Sequence, residues 1–379
     1  MKLIHLSDLH LGKRLNEISL LEDQRYILEE ICQILRQEQP DAVIIAGDVY
    51  DKSIPSAESV QLFDEFLSRL AAMELTVLLI SGNHDSPERV SFGASLMQRS
   101  RVYIAPVFDG TISPVTLHDK YGEVRCYLLP FVRPAHVRAC YSDEEINDYE
   151  DAVRTVLAHI PLDQTMRNVL VTHQFVAGAS LCEVQEREIG GTDQVSAALF
   201  ADFDYTALGH IHRPQSIDSE TIRYCGSPLQ YSLSEMGYAK SVTAVELGEK
   251  GSVSVREIPL KPLRALREIR GTYLELTEKK NYENTNTEDY LHIVLTDEED
   301  VPDAIGKLRM IYPNLMKLDY DNQRTRTSRQ ITGADDAQEQ KPFDLFAALY
   351  EQQNNQPMSD SQQKFLKKLI DEIWEEEDA

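Results

Sequence analysis

The stretch that decides the fold is Gly47-Asp48-Val49-Tyr50-Asp51, which follows the apolar run Val43-Ile44-Ile45. Such a run predicts a buried strand, and the polar residues after it predict the loop at its carboxyl end. Ligand sites in open α/β sheets lie at these strand ends. A single buried Asp is usually satisfied by backbone donors. A carboxylate can also bridge two cations, however, and we place Asp48 between them.

Four other strand-like runs end in potential metal ligands. They are Leu3-Ile4-His5-Leu6 before Asp8 and His10, Val77-Leu78-Leu79-Ile80 before Asn83 and His84, Val169-Leu170-Val171 before His173, and Thr206-Ala207-Leu208 before His210 and His212. Each motif alone is weak, but together five strand ends would deliver oxygen and nitrogen ligands to one edge. Such a mixed set suits manganese, iron or zinc better than calcium. Two cations about 3.5 to 4 Å apart favour phosphate ester hydrolysis.

Length and composition indicate a large soluble protein. With 379 residues, of which 42% are hydrophobic, the chain can form at least two domains. No apolar run approaches the length of a membrane span or a signal core, so we expect a cytoplasmic protein without membrane contact. The five cysteines are odd in number and lack Cys-x-x-Cys spacing, which argues against a disulfide framework or a zinc ribbon.

The net charge of −25 limits the possible substrates. A protein that holds nucleic acid by itself normally offers a basic surface, because neutralised phosphates supply most of the non-specific affinity. The chain as a whole does not offer one. Either the substrate is small, or bound cations and a partner supply the positive charge.

The order of elements predicts an α/β fold. Helices over residues 20–39 and 57–73 connect the first three strands, which makes parallel βαβ units. Strands over 115–117 and 124–128 follow, and a capping box at Ser142-Asp143-Glu144-Glu145 predicts a helix that ends near Pro161. Segments 221–225, 241–247 and 252–259 are predicted to finish a second sheet. We therefore expect a two-sheet sandwich flanked by helices over residues 1–260.

The remaining chain predicts three further parts. Residues 261–321 are predicted to form a small α/β capping domain with strands over 271–276, 290–295 and 315–318 and a helix over 301–311. Residues 322–341 are polar and are predicted to be a flexible linker. Residues 342–379 carry two amphipathic helix patterns separated by Asn354-Asn355-Gln356-Pro357. This helix-loop-helix either docks on its own domain or binds a partner, and we favour the partner.

These motifs resemble those of the calcineurin-like metallophosphoesterases over the first 260 residues. The resemblance rests on Asp8-Leu9-His10, Gly47-Asp48-Val49-Tyr50-Asp51, Gly82-Asn83-His84-Asp85, His173 and Gly209-His210-Ile211-His212. Within that superfamily the chain is most similar to the nuclease subunits that work with an ATPase. The closer similarity rests on residues 5–12 and 205–212, on Gly226-Ser227-Pro228, and on the capping domain and helix pair.

The resemblance implies a role for each residue of the cluster. One metal would be held by Asp8, His10, Asp48 and His212, and the other by Asp48, Asn83, His173 and His210. His84 would be catalytic, with Asp85 orienting it. Some relatives carry histidine where this chain has Asp51, so a substrate-positioning role does not carry over to that site. Lys13, Arg14 and Arg89 lie next to the motifs and would either contact phosphates or be solvated surface charges.

By this resemblance the protein is expected to be a manganese-dependent DNA nuclease subunit. It would act as a 3'-5' double-strand exonuclease and single-strand endonuclease, with two divalent cations as cofactor. Its partner would be an ATPase whose coiled-coil base binds the helix pair, in a heterotetramer built on a homodimer. The alternatives are a stand-alone phosphoesterase for nucleotides or phosphoproteins, and a non-enzymatic scaffold. The linker and helix pair argue against the former, and the complete ligand set argues against the latter.

Overall fold

The computed structural model describes residues 1–16, 18–181, 194–323, 325, 343, 346–347, 350, 358–359, 361–366 and 369–370. Most of the predicted linker and the end of the chain, with Ile373 and Trp374, therefore lie outside the described residues. The chain divides into two compact units, Met1–Arg267 and Glu268–Ala379. The domain boundaries expected after residues 260, 321 and 341 stay a prediction.

Among its described residues, the first unit contains sixteen strands and six α-helices. The strands are β1 (Lys2–Leu6), β2 (Arg14–Leu15), β3 (Ile18–Ser19), β4 (Ala42–Ala46), β5 (Thr76–Ile80), β6 (Val102–Ile104), β7 (Val115–Asp119), β8 (Gly122–Leu129), β9 (Arg167–His173), β10 (Phe175–Val176), β11 (Gln194–Val195), β12 (Tyr205–Gly209), β13 (Gln215–Ile217), β14 (Ser219–Tyr224), β15 (Ser241–Leu247) and β16 (Val253–Pro259). The helices are α1 (Leu21–Glu38), α2 (Ala57–Ala72), α3 (Pro87–Val90), α4 (Ala94–Met97), α5 (Pro134–Cys140) and α6 (Tyr149–Ala158). Short 3-10 helices span Gln98–Ser100, Ala197–Phe200 and Leu233–Glu235.

The first sheet has the order β16-β15-β1-β4-β5-β6. Its members β1, β4, β5 and β6 are parallel, as the predicted βαβ units require. Helix α1 connects β1 to β4 and buries Ile27, Ile31 and Leu35. It ends in a left-handed Gln39, directly before Pro40, because proline cannot continue a helix. The parallel strands place the ends of β1, β4 and β5 at one edge.

The second sheet has the order β13-β14-β12-β9-β8-β7 and packs face to face on the first. Buried residues of both sheets share one apolar core, with Ile44 and Leu78 from the first and Val169, Val171 and Ala207 from the second. The opposite face of the second sheet packs against α5 and α6. The predicted α/β sandwich flanked by helices is confirmed.

Two predicted details of the first unit are wrong. Strands β15 and β16 do not finish the second sheet; β15 pairs antiparallel with β1 and extends the first sheet. An apolar strand can complete the edge of either sheet, so its sequence does not tell which. The helix predicted from Ser142 begins instead at Tyr149, because the side chain of Asp148 caps it by accepting the Asp151 N–H at 2.8 Å.

The second unit is built on a three-stranded sheet. Its elements are β17 (Leu266–Gly271), α7 (Tyr273–Thr277), α8 (Lys279–Tyr282), β18 (Tyr290–Leu295), α9 (Ala304–Arg309) and β19 (Leu315–Tyr320), with the sheet order β17-β18-β19. The strand expected over 271–276 is wrong: it lies earlier, and Thr272 opens a helix. Thr272 and Glu275 form a reciprocal capping box that stabilises this helix start.

Two segments near the end of the chain contain helical residues. Phe343, Phe346, Ala347 and Tyr350 belong to the first segment, and residues 361–366 and 369–370 to the second. These are the positions of the two amphipathic patterns. No helix in the described part of the chain is long and apolar enough to cross a membrane.

Candidate metal centre

The structure brings the predicted ligands together between the two sheets. Strands β1, β4 and β5 of the first sheet and β9 and β12 of the second end at this point. The loops after β1 and β4 run side by side, because Asp8 N–H donates to Gly47 O at 3.0 Å and His10 N–H donates to Asp48 O at 2.9 Å. Backbone hydrogen bonds therefore fix the spacing of the first two ligand loops.

Three residues form the first half-site, namely Asp8, His10 and His212. The two Nε2 atoms of His10 and His212 lie 3.1 Å apart. The carboxylate of Asp8 accepts the His210 N–H at 3.0 Å and the hydroxyl hydrogen of Ser7. Both Asp8 and His10 are buried, so this half-site contains little water.

The second half-site contains Asp48, His173 and His210, together with Asn83. Asn83 Oδ1 lies 3.0 Å from His173 Nε2 and 2.9 Å from His210 Nδ1. The other ring nitrogen of His173, Nδ1, lies 2.8 Å from Ala46 O and donates to it. This hydrogen bond turns the Nε2 lone pair toward the half-site.

Asp48 lies between the two half-sites. Its Oδ1 accepts the His84 N–H at 2.9 Å. Its Oδ2 lies 3.6 Å from His10 Nε2 and 3.3 Å from His173 Nε2. One oxygen is thus held by the backbone, and the other faces both half-sites.

These distances fit divalent cations. Two ligands each about 2.1 Å from one cation, at tetrahedral or octahedral angles, are separated by about 3.0 to 3.4 Å. The donor set combines two carboxylates, one amide oxygen and four imidazoles, which suits a borderline metal ion. Each of the seven residues predicted as a ligand is brought to this site: Asp8, His10, Asp48, Asn83, His173, His210 and His212. Which of them bind a cation stays a prediction.

The electrostatics of the site depend on burial and on Asp48. Burial lowers the pKa of His10 well below its usual value and that of His210 to about 3, so both rings are neutral near neutral pH. Burial alone would also lower the pKa of His173, but the charge of Asp48 raises it to about 9. Cation binding would displace that proton, because a ligand imidazole must be neutral.

Close packing and strain also shape the site. Asp8, His10, Asp48 and His210 all have positive φ angles, of 52°, 43°, 50° and 103°. Such a conformation costs about 1–3 kcal/mol at a non-glycine residue and persists only where its surroundings enforce it. A Cβ on Gly82 would overlap Asp48, and one on Gly209 would overlap Ala46 O. Glycine is required there because the ligand loops touch.

His84 lies beside the first half-site, with its ring centroid 4.9 Å from that of His10. Its Nδ1 donates to the carbonyl oxygen of Asp51 at 3.1 Å. The carboxylate of Asp51 pairs instead with Lys13 at 2.8 Å. The backbone of Asp51 therefore orients His84, and Lys13 is paired within the site rather than being a solvated charge.

Asp85 does not orient His84, so that expectation is wrong. Its carboxylate accepts backbone N–H groups of Gly82 at 2.9 Å, Val49 at 3.1 Å and Tyr50 at 2.9 Å. Burial, and then the charge of Asp48, raises the pKa of Asp85 to about 6, although the three donors oppose the rise. Asp85 therefore ties the Asp48 loop to the Asn83 loop. The sequence could not separate these roles, because Asp85 directly follows the histidine.

One residue of the site, Glu235, was not predicted from the sequence. Its Oε1 lies 2.9 Å from His212 Nδ1, and its side chain is 1% exposed. Burial alone would raise the pKa of Glu235, but His212 and Lys240 hold it well below the usual range. The one available signal was its position shortly after Gly226-Ser227-Pro228, and a glutamate there cannot be told from a surface residue.

Comparison with known families agrees with this geometry. A model of the calcineurin-like phosphoesterase family matches residues 1–214, and one described as the type 5 capsule protein repressor C-terminal domain matches residues 262–354. The fold and site thus define a calcineurin-like metallophosphoesterase, a class of metal-dependent hydrolases. Within that class, the chain belongs to the SbcD family.

That assignment rests on a relative of full length. The SbcD component of the nuclease SbcCD from Staphylococcus epidermidis is 33% identical over 384 residues, which cover 100% of both chains. Among solved structures, a dimetal phosphatase from Danio rerio is 11% identical, covers 69% of this chain and 98% of its own, and has a TM-score of 0.40. A protein from Thermus thermophilus is 12% identical, covers 68% and 98%, and has a TM-score of 0.41.

The contacts of Asp85 lead to a testable prediction. In Asp85→Asn, one of the two oxygens becomes an NH2 group that faces backbone donors. Leaving a buried donor unpaired costs about 1–3 kcal/mol, so the free energy of unfolding should fall by that amount and divalent cations should bind more weakly. Chemical denaturation and isothermal titration calorimetry measure these effects. Asp109→Asn, which changes an exposed turn carboxylate, is the control. Unchanged stability in Asp85→Asn would show that the two loops do not depend on this carboxylate.

Proposed function

We propose that this chain is a metal-dependent DNA nuclease subunit that hydrolyses phosphodiester bonds. It acts as a 3'-5' double-strand exonuclease and a single-strand endonuclease, together with an SbcC-type ATPase. The observation that carries the proposal is Asp48 Oδ2, which lies within 3.6 Å of a histidine in each half-site. The full-length likeness to a nuclease component supports the choice of DNA over small phosphate esters.

We assign the ligands as the resemblance implies. Asp8, His10, Asp48 and His212 would hold one cation, and Asp48, Asn83, His173 and His210 the other. Manganese is the preferred ion because the site mixes hard oxygen with imidazole nitrogen. When bound, the two cations would polarise a phosphodiester and lower the pKa of the attacking water.

His84 is proposed as the catalytic residue. Its Nδ1–H is engaged by Asp51 O, so Nε2 is the ring atom available to the substrate. As an imidazolium, His84 would donate a hydrogen bond to the charge that develops on the phosphate, or transfer the proton to the leaving 3' oxygen. The same ring position serves both roles, because both oxygens belong to the reacting phosphodiester.

A partner is proposed for the end of the chain. Phe346, Tyr350, Met358, Phe365, Leu366 and Leu369 line an apolar cavity of about 410 Å³. Phe346, Phe365 and Leu369 are 53%, 69% and 41% exposed. Burying a large apolar side chain is worth about 1.5–3 kcal/mol. A partner protein that covers these residues would therefore gain binding free energy. We assign that role to the coiled-coil base of the ATPase.

The acidic charge of the chain and exposed apolar side chains support the rest of the proposed assembly. With a net charge of −25, duplex DNA binding would depend on basic residues of the partner. Between residues 54 and 96, large apolar side chains are exposed, with Ile54 at 72%, Phe92 at 81% and Leu96 at 71%. We propose that a second copy covers them, as in a homodimer within a heterotetramer. A cytoplasmic location follows from the proposed DNA substrate.

The shared carboxylate provides the first test. Asp48→Ala should lose both cations and all nuclease activity, because two positive charges would face each other without the bridging oxygen. Manganese stoichiometry by metal analysis and cleavage of linear duplex measure this. Asp64→Ala, an exposed carboxylate on α2, should retain both. Two manganese ions per chain in Asp48→Ala would refute the shared ligand.

The role of His84 is tested by measuring the hydrolysis rate and the manganese content separately. His84→Gln should keep two manganese ions but lose about a hundredfold or more of the hydrolysis rate, which is the usual contribution of acid catalysis. His118→Gln, an exposed histidine with a side chain 67% exposed, is the matched control. If manganese content falls together with the rate, His84 is a ligand and its assigned role is wrong.

The helix pair distinguishes a partnered nuclease from a stand-alone phosphoesterase. Truncation after Lys341 should abolish co-purification with the ATPase and weaken duplex binding at physiological salt. Manganese-dependent cleavage of a small phosphodiester should persist, because no assigned ligand lies beyond residue 341.

Point variants refine that test. The double change Phe365→Glu and Leu369→Glu should have the same effect as truncation, whereas Lys364→Glu changes an exposed neighbour and should bind the ATPase normally. Full ATPase binding by the truncated chain would place the docking surface elsewhere.

A further inference from the structure

Glu235 is a buried acid next to the metal centre. It ends the 3-10 helix Leu233–Glu235, between β14 and β15, and its side chain is 1% exposed. Glutamate is rarely buried to this extent unless its charge is paired, because desolvation of a carboxylate is unfavourable. Neighbouring groups must therefore pair with its carboxylate.

The surroundings consist of a compact polar network around one ligand. Glu235 Oε1 accepts from His212 Nδ1 at 2.9 Å, and Oε2 accepts from Lys240 Nζ at 2.6 Å. Lys240 also donates to the backbone oxygen of His212 at 2.9 Å and lies 2.8 Å from Ser227 Oγ. The network thus holds both the ring and the main chain of His212.

The consequence for His212 is a defined tautomer. A carboxylate only accepts hydrogen bonds, so His212 must carry a hydrogen on Nδ1. Its Nε2 then offers a lone pair, directed at the half-site, where it lies 3.1 Å from His10 Nε2. A carboxylate behind a ligand imidazole also makes the ring a stronger donor to a cation.

Two other predicted ligand histidines are held differently within the part of the chain that the structure describes. His173 Nδ1 donates to a neutral carbonyl, Ala46 O, at 2.8 Å. His10 Nδ1 has no hydrogen-bond partner among the residues that the structure describes. The charged network of Glu235 and Lys240 therefore contacts His212, which belongs to the half-site of Asp8, His10 and His212. The half-site of Asn83 has an uncharged amide and a carbonyl-backed imidazole instead.

We propose that Glu235, anchored by Lys240, is a positioning residue that sets the cation affinity of the Asp8, His10 and His212 half-site. This inference rests on the proposed metal-dependent function. The ammonium of Lys240 balances the buried carboxylate, so the negative charge can remain next to His212 without an unpaired ion in the core. A purely structural ion pair would stabilise the fold without changing one cation site selectively.

The variant Glu235→Gln tests the proposal, since it keeps the size of the side chain and removes the charge. Manganese is titrated calorimetrically into metal-free protein. One of the two affinities should fall 10- to 100-fold, the usual effect of changing a hydrogen-bond partner behind a metal ligand. The other affinity should stay unchanged. In a His212→Gln background, Glu235→Gln should have no further effect on manganese affinity.

Asp204→Asn is the matched control. The side chain of Asp204 is 3% exposed and is also paired with a lysine, Lys250 at 2.8 Å, but it lies at the opposite end of β12. Its loss should lower the thermal unfolding midpoint of the metal-free protein and leave both manganese affinities unchanged.

The outcomes separate the two proposals. Fewer than two manganese ions in the wild-type chain would overturn the proposed metal centre itself. Two ions with unchanged affinities in Glu235→Gln would overturn the positioning role alone. If Glu235→Gln does not fold, nitrogen NMR of histidine-labelled wild-type protein decides: His212 should carry its hydrogen on Nδ1, and a hydrogen on Nε2 alone would refute the inference.

Discussion

The whole site depends on how Asp48 is held. Its Oδ1 is occupied by the backbone N–H of His84, so that Oδ2 alone faces the two half-sites. The loop that carries it is fixed on one side by backbone hydrogen bonds to the Asp8 loop, and on the other by the carboxylate of Asp85. Because these constraints act on the main chain, Asp48 can adopt a positive φ that a free loop would avoid.

The sandwich provides the second constraint. Ligands come from strands of both sheets, so neither sheet forms the site alone. The shared apolar core fixes the distance between the sheets, and Gly209 allows the second to approach Ala46 of the first. Since interiors are packed to crystal-like density, small changes in this core would be transmitted to the ligand positions. The apolar core thus helps to set the distances between the predicted ligands.

The chain is strongly acidic, with a net charge of −25, and some of its carboxylates lie at the metal centre. Buried carboxylates there are stabilised locally: Asp48 by neighbouring imidazoles, Asp85 by backbone donors, and Glu235 by Lys240. A site of this kind attracts divalent cations, and the cations in turn allow an anionic substrate to approach. The same charge is the reason for the proposal that a partner binds long nucleic acid.

The sequence alone determined the periodic and local features of this protein. Apolar runs followed by Asp48, His84 or His173 predicted the strands and the residues that meet at their ends, because burial leaves a direct trace in the sequence. The α1 and α2 helices were predictable for the same reason. Tertiary structure alone decided which sheet receives β15, that Asp85 binds backbone rather than His84, and that Glu235 supports His212. These depend on contacts between residues distant in the chain, and no local pattern encodes which side chains meet when the two sheets close.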